Sequence, residues 1–161
     1  MIKQEIEQKL AKDFGAHIEI QQTNQPEPSV YIGKEKYIDF CKYLRDDPEL
    51  AFEFLFQLGG THFLDDRFEV FVCLSSHKHQ HEMTLKVKLP HDKPEINTLT
   101  GIWQVADFFE LEMMELFGIN VVDHPHPRPL LLYEDWDYGY PMRRGWTGPD
   151  FIPMPDKSGG A

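Results

Sequence analysis

The stretch FEVFVCLSSHKHQHEMTLKVKL, residues 68–89, decides the fold class. Phe68, Val70, Val72 and Leu74 fall at every second position, and the same period returns in Met83, Leu85, Val87 and Leu89. Residues two apart share one face of a strand, so each half presents an apolar side to a core. The polar run HKHQH lies between the halves, which together read as an antiparallel hairpin closed by Pro90 and Pro94.

On the N-terminal side, Ile2, Ile6, Leu10 and Phe14 are spaced for an amphipathic helix that Gly15 stops. AHIEIQQTNQPEPSVYIG alternates on both sides of a proline-containing turn and predicts two short strands at an edge. In KEKYIDFCKYLRDD, Tyr37, Ile38, Cys41 and Leu44 or Arg45 recur at helical offsets. DPELAFEFLFQLGG then offers Asp47 as an N-cap, Pro48 in the first turn and two terminal glycines, and predicts a second helix directly after the first. Beyond the hairpin, TLTGIWQVADFFELEMMELFG predicts a longer helix ending at Gly118. Pro125, Pro127, Pro129, Pro141, Pro149, Pro153 and Pro155 leave no room for another long helix. The class is α+β, a mainly antiparallel sheet with segregated helices and an extended Pro-rich C-terminal tail, divided into a domain of residues 1–122 and a partner-docking tail of residues 123–161.

Composition narrows the functions available. A chain of 161 residues with 41% hydrophobic content builds one core. Acids outnumber Lys and Arg 27 to 16, for a net charge of −11, which argues against a nucleic-acid partner. No run approaches the roughly 18–20 apolar residues of a membrane span, and the acid-bearing N-terminus lacks a signal peptide's apolar segment. Cys41 and Cys73 have no cluster spacing and read as reduced thiols.

Three features carry possible chemistry. His77, His79 and His81 in HKHQH would share one face of a strand, a spacing zinc can use, but a hairpin tip lacks fixed geometry and reads as a solvated loop. In IWQVADFFELEMMELFG, Val105, Phe109, Met113 and Leu116 form one stripe while Trp103, Phe108, Leu111 and Met114 carry apolar surface round to the other side. Such a helix is expected to be buried, so Asp107, Glu110, Glu112 and Glu115 require cations or hydrogen bonds. Glu112 and Glu115 could form half of a di-iron helix, but the companion Glu-x-x-His motifs are missing, and no nucleophile or glycine-rich loop accompanies the acids. The alternating prolines of HPHPRP force an extended strip, in which His124 and His126 read as hydrogen-bonding contacts rather than ligands.

The run ELEMMELFGINVVDHPHPRPLL resembles the signature of the thirty-kilodalton subunit family of respiratory complex I, which membrane-bound energy-converting hydrogenases share. That pattern runs Glu-Arg-Glu, two residues, an acid, two apolar residues, six residues, His, three residues, a basic residue or Pro, and, after one further residue, an apolar pair. Glu110, Glu112, Glu115, Leu116, Phe117, His124, Arg128, Leu130 and Leu131 fall on it in register. The downstream YEDWDYGYPMRRGW, with Trp136, Arg143 and Arg144, is similar to the family's acidic-Trp turn and basic pair, so the likeness spans residues 94–146. Leu111 departs from it by standing where the family has arginine, which makes a hydrogenase-type or divergent complex more plausible than the quinone-reducing branch.

The resemblance implies a structural subunit without cofactors, on the cytoplasmic side of the membrane, peripheral and held through its complex. Its partners would be the large catalytic subunit, with a quinone site or a nickel-iron centre, and neighbouring subunits holding iron-sulfur clusters and flavin. Glu110, Glu112, Glu115, His124, Arg128, Trp136, Arg143 and Arg144 would form the docking interface, with Glu110 and Glu112 each meeting a cation from Arg128, Arg143, Arg144 or the partner. The alternative is an independent metal-dependent enzyme using the acids and histidines of residues 110–126.

Overall fold

The computed structural model describes residues 2–148. Along the chain run α1 (Lys3–Phe14), β1 (Ile18–Gln21), β2 (Ser29–Ile32), α2 (Tyr37–Asp46), β3 (Phe54–His62), β4 (Phe68–Ser76), β5 (His81–Leu89), β6 (Glu95–Asn97), α3 (Ala106–Phe117) and β7 (Asn120–Val122). The hairpin read from residues 68–89 is β4 and β5, paired antiparallel from Phe68 opposite Leu89 to Ser76 opposite His81. It lies inside a five-stranded sheet of order β1-β2-β5-β4-β3, in which β2 and β5 alone run parallel. A small parallel pair, β6 and β7, brackets α3.

The alternation places Val70, Val72 and Leu74 beside Val87, Leu85 and Met83, all essentially inaccessible, in one cluster with Ile6 and Leu10 of α1 and Phe40 and Leu44 of α2. Each such side chain contributes about 1.5–3 kcal/mol on burial. Phe14 closes the seam between the two helices, 4.7 Å edge-on from Phe40. Strand positions of the opposite parity, among them Phe71, Cys73, Thr84 and Lys86, remain half-exposed. Both cysteines are free thiols, Cys41 buried and Cys73 half-buried.

The second helix expected over residues 47–60 does not form. Asp47 does cap, its Oδ1 accepting the Glu49 and Leu50 amides, but only a turn follows, and Ala51 at φ 44° ends it. The chain then enters β3, whose register shifts between Leu55 and Gln57. A bulge moves the apolar side chains off a strict period of two, which removed the strand signal from the sequence. The HKHQH tip is exposed at His77, Lys78 and Gln80, but its three rings have partners. His81 begins β5, buried, with its Nε2 2.7 Å from the Leu50 carbonyl; His79 Nε2 lies 2.8 Å from the Pro48 carbonyl; His77 stacks on Phe54. The turn that stands in place of the helix supplies the carbonyls His79 and His81 meet, and β3 supplies the ring under His77.

The last helix is shorter at its start than the sequence predicts. Residues 98–105 form turns because Thr98 and Leu99 are tied to Glu110, and the Trp103 indole donates to the Phe52 carbonyl at 3.1 Å. Its end is as expected, with Gly118 left-handed at φ 68°. Residues 123–148 contain no helix or strand, and they fold back along α3. Pro149, Pro153 and Pro155 lie outside the described residues.

Close approach of α3 to the edge strand β3 requires Gly60, where a Cβ would stand 3.0 Å from Ile119 Cδ1 and 3.2 Å from Phe117. Gly60→Val is expected to destabilise the chain by about 1–3 kcal/mol through overpacking, read as a shift in the urea midpoint with an unchanged slope.

Candidate functional site

Consecutive side chains on an α-helix point about 100° apart, so Glu110 and Glu112, two residues apart, face nearly opposite directions. Glu110 is 1% exposed. Its Oε2 accepts the Thr98 hydroxyl and its Oε1 the Leu99 amide, both at 2.6 Å. Desolvation pushes its carboxyl up to about 7; the two hydrogen bonds oppose that shift, and the nearby Asp107 adds to it. Glu112 is exposed and forms no hydrogen bond or ion pair among the described residues. Neither acid therefore meets Arg128, Arg143 or Arg144: Glu110 is satisfied by a hydroxyl and an amide, and Glu112 stands exposed, where the cation expected for it would come from a partner. Leu111, in the family's arginine position, is itself buried.

His124 sits beside Glu110 with its ring fully buried. Its Nδ1 accepts the His126 amide at 3.3 Å, which leaves the proton on Nε2, 3.5 Å from Asp107 Oδ1 and 3.8 Å from Glu110 Oε2. Arg128 donates to Asp107 Oδ2 at 3.0 Å and to the His126 carbonyl at 2.9 Å. The Arg128 bond leads the causes that hold the Asp107 carboxyl below its usual range.

One turn further along α3, the Glu115 carboxylate accepts three successive amides, from Leu130, Leu131 and Leu132, at 3.1, 2.7 and 3.0 Å. At the helix end the Arg143 guanidinium donates to the Phe117 and Gly118 carbonyls at 2.7 and 3.4 Å, where the helix dipole is negative. Arg144 donates its amide to His62 Nδ1 and its Nε to the His62 carbonyl, both at 3.0 Å. Trp136 donates its indole N–H to the Gly139 carbonyl at 2.6 Å. Of the eight residues read from the signature, Glu115, His124, Arg128, Trp136 and Arg143 hold residues 123–148 onto α3 or onto themselves, Arg144 ties them to β3, Glu110 ties α3 to the segment before it, and Glu112 makes no such bond.

The same geometry bears on metal binding. Among the described residues, the one group of His, Cys, Asp and Glu with converging ligand atoms is His62, Asp66 and His91, within 4.8 Å. His62 was not read from the sequence, since its partner Arg144 is 82 residues away. Its Nδ1 accepts an amide, so its neutral ring carries the proton on Nε2, the atom 3.6 Å from Asp66, and has no lone pair there for a cation. Desolvation leads the causes that lower the His62 pKa, and the Arg143 and Arg144 charges are among the others. His62 serves instead as a latch for Arg144.

Residues 30–151 match the family model described as the respiratory-chain NADH dehydrogenase, 30 Kd subunit. The chain belongs to that family. Similar relatives include an NADH-quinone oxidoreductase subunit of Roseiflexus sp. (strain RS-1), 40% identical over 118 residues that make up 72% of this chain and 67% of the relative. An F(420)H(2) dehydrogenase subunit of Methanosarcina mazei is 32% identical over 119 residues, 73% of this chain and 74% of the relative. The fold is shared with a trypsin-resistant fragment of Nqo5, at a TM-score of 0.66 and 23% identity over 75% of this chain and 98% of the fragment. It is also shared with a chain of the archaeal membrane-bound sulfane sulfur reductase complex, at 0.64 and 16% over 89% and 81%. This 30 Kd-type chain is a subunit of a membrane-bound oxidoreductase complex, and no helix among its described residues is long and apolar enough to cross a membrane.

Two outcomes test the site. Folded Glu110 keeps its proton to about pH 7 and the unfolded side chain only to its usual 4.5, so the folded state binds more protons in between. The stability this group contributes is full below pH 4.5 and falls as pH rises to 7. Glu110→Gln, which cannot ionise, is expected to gain stability relative to wild type between pH 5 and 8, measured by urea denaturation along a pH series. Glu115→Ala is expected to speed amide exchange at residues 130–132 and to lower stability by about 1–3 kcal/mol, because three amides lose a charged acceptor.

Proposed function

We propose that this chain is a cofactor-free docking subunit in the peripheral arm of an ion-translocating electron-transfer complex, seated on the cytoplasmic side against the large catalytic subunit. Iron-sulfur clusters and a flavin or nickel-iron centre belong, on this reading, to neighbouring subunits. The observation that carries it is the use made of the family signature: Asp107, Glu110, Glu115, His124 and Arg128 are engaged with one another, with Thr98 or with backbone groups. A signature used for bracing shapes a surface rather than performing a reaction.

The surface so braced is apolar. Val105 and Phe108 on one side of α3 and Leu131, Tyr133 and Met142 from the following segment are all more than 40% exposed. Exposed aromatic and aliphatic residues beside charged ones are the composition of an interface centre and its rim. The names of the relatives at 40% and 32% identity support an electron-transfer complex, of the quinone-linked kind in the first case. The rival reading, a free-standing metal enzyme built on residues 110–126, needs ligand atoms that Glu110 and Glu115 direct to hydroxyl and amide groups instead, while His124 gives Nδ1 to an amide and carries its proton on Nε2.

Affinity purification of the tagged chain from solubilised native membranes tests the proposal. The flavin, iron-sulfur or nickel signal is expected to co-elute with it, and a chaotropic wash is expected to strip the chain off colourless. Elution alone, or metal that stays with the stripped chain one-to-one, overturns the reading. Phe108→Asp is expected to lower recovery of the large subunit about tenfold or more, as for an interface anchor, while the melting temperature of the isolated chain stays unchanged.

A further inference from the structure

A groove of about 540 Å³ lies between α3 and residues 128–140. Leu111, Met114 and Leu132 give it aliphatic lining, and Tyr133, Trp136 and Tyr140 give it aromatic rings. Glu134 and Asp137 also line it. Tyr133 and Tyr138 each stand nearly perpendicular to Trp136, at 76° and 77°, with centroids 5.4 and 5.2 Å away. Tyr133 and Trp136 set one right-angled corner of the groove, and Tyr138 packs against Trp136 outside the lining.

The polar inventory of the groove is one-sided. The Trp136 indole N–H is engaged by Gly139 and its ring stacks on Trp146 at 6.0 Å, so it offers the groove no free donor, and the π surface facing the groove comes from Tyr133, Tyr140 and the rest of the indole. Glu115, a third carboxylate here, is occupied by three amides, and Arg128, the one cation in the lining, is turned to Asp107. Glu134 and Asp137 form no ion pair among the described residues. The Tyr133 phenol is held above its usual pKa, by desolvation first and then by Tyr138, Asp135 and Asp137. Negative ring faces, two free carboxylates and an aliphatic flank together match one kind of group: a cation on a methylene stem, whose head meets the rings and acids while its stem covers the leucines. A net charge of −11 draws such a group in from a distance.

We propose that this groove receives a basic side chain, arginine or lysine, presented by a neighbouring subunit. The inference rests on the docking reading above and adds the chemistry of what docks. The cation makes its contacts in the groove between α3 and the returning segment, and it binds without any change at the Asp107–Arg128 pair.

The test uses the assembled complex with a benzophenone-bearing phenylalanine analogue in place of Tyr133. Irradiation is expected to join position 133 to a peptide of another subunit that carries Arg or Lys next to the attachment point. The double variant Glu134→Gln with Asp137→Asn, and replacement of that basic residue by Met, are each expected to lower retention of the chain at raised salt roughly tenfold, with little further loss when combined. Asp135→Asn, next to the groove and outside its lining, is expected to assemble as wild type and controls for loss of charge alone. A cross-link confined to this chain, a cross-linked peptide without a base, wild-type retention of the double variant, or equal loss in Asp135→Asn each overturns the groove while leaving the docking reading intact. A chain that does not co-purify with any complex overturns both.

Discussion

A carboxylate taken out of water must be met by something, and the C-terminal half of this chain is arranged around two that are met by backbone amides. Glu110 reaches across to the turn at Thr98 and Leu99, and Glu115 reaches outward to Leu130, Leu131 and Leu132. The first bond set joins α3 to the segment before it and the second to the segment after it. Because both acids stand on one rigid helix, the approach to α3 and the departure from it are fixed relative to each other. His124, Asp107 and Arg128 add a third tie at the turn where the chain reverses.

This arrangement also accounts for the departure from the family pattern. An arginine between two glutamates would serve as an internal counter-charge, but Glu112 faces solvent and Glu110 has its two donors and a histidine, so a cation at position 111 has no acid left in need of it. Leu111 instead packs, and it lines the groove that the returning segment forms. The acids of the signature therefore divide into one buried member, one member bonded to backbone and one solvated member, a division set by helix geometry rather than by composition.

Much of the framework was legible in the sequence because its signals are local. The hairpin of residues 68–89 declares itself by a period of two, and Gly15 and Gly118 mark helix ends by the conformations only glycine takes readily. β3 was not legible, since Asp47 and Pro48 imitate a helix start and do cap a turn, while the bulge at Leu55 to Gln57 hides the alternation behind it. The family signature was readable, but the roles of its residues were not. Nothing in a linear pattern tells that α3 is covered on two sides and open on the third, so Glu112 was expected to be buried with Glu110. The His62–Arg144 latch joins residues so far apart that no spacing announces it.

The parallel pairing of β2 with β5 has a consequence for the order in which the molecule is made. Val30 takes its place beside Leu85, and the Pro28 carbonyl accepts the amide of Thr84, so the first ribbon, β1 with β2, has no sheet to join until the whole of β3, β4 and β5 has left the ribosome. Until then one edge of β2 is an open template for any other nascent strand. Two features limit that hazard: the ribbon is only four residues long on each side, and Pro26 and Pro28 precede β2. The hairpin, whose contacts are near in sequence, forms early, and the N-terminal ribbon docks late against a loop-closure cost already met by the rest of the core.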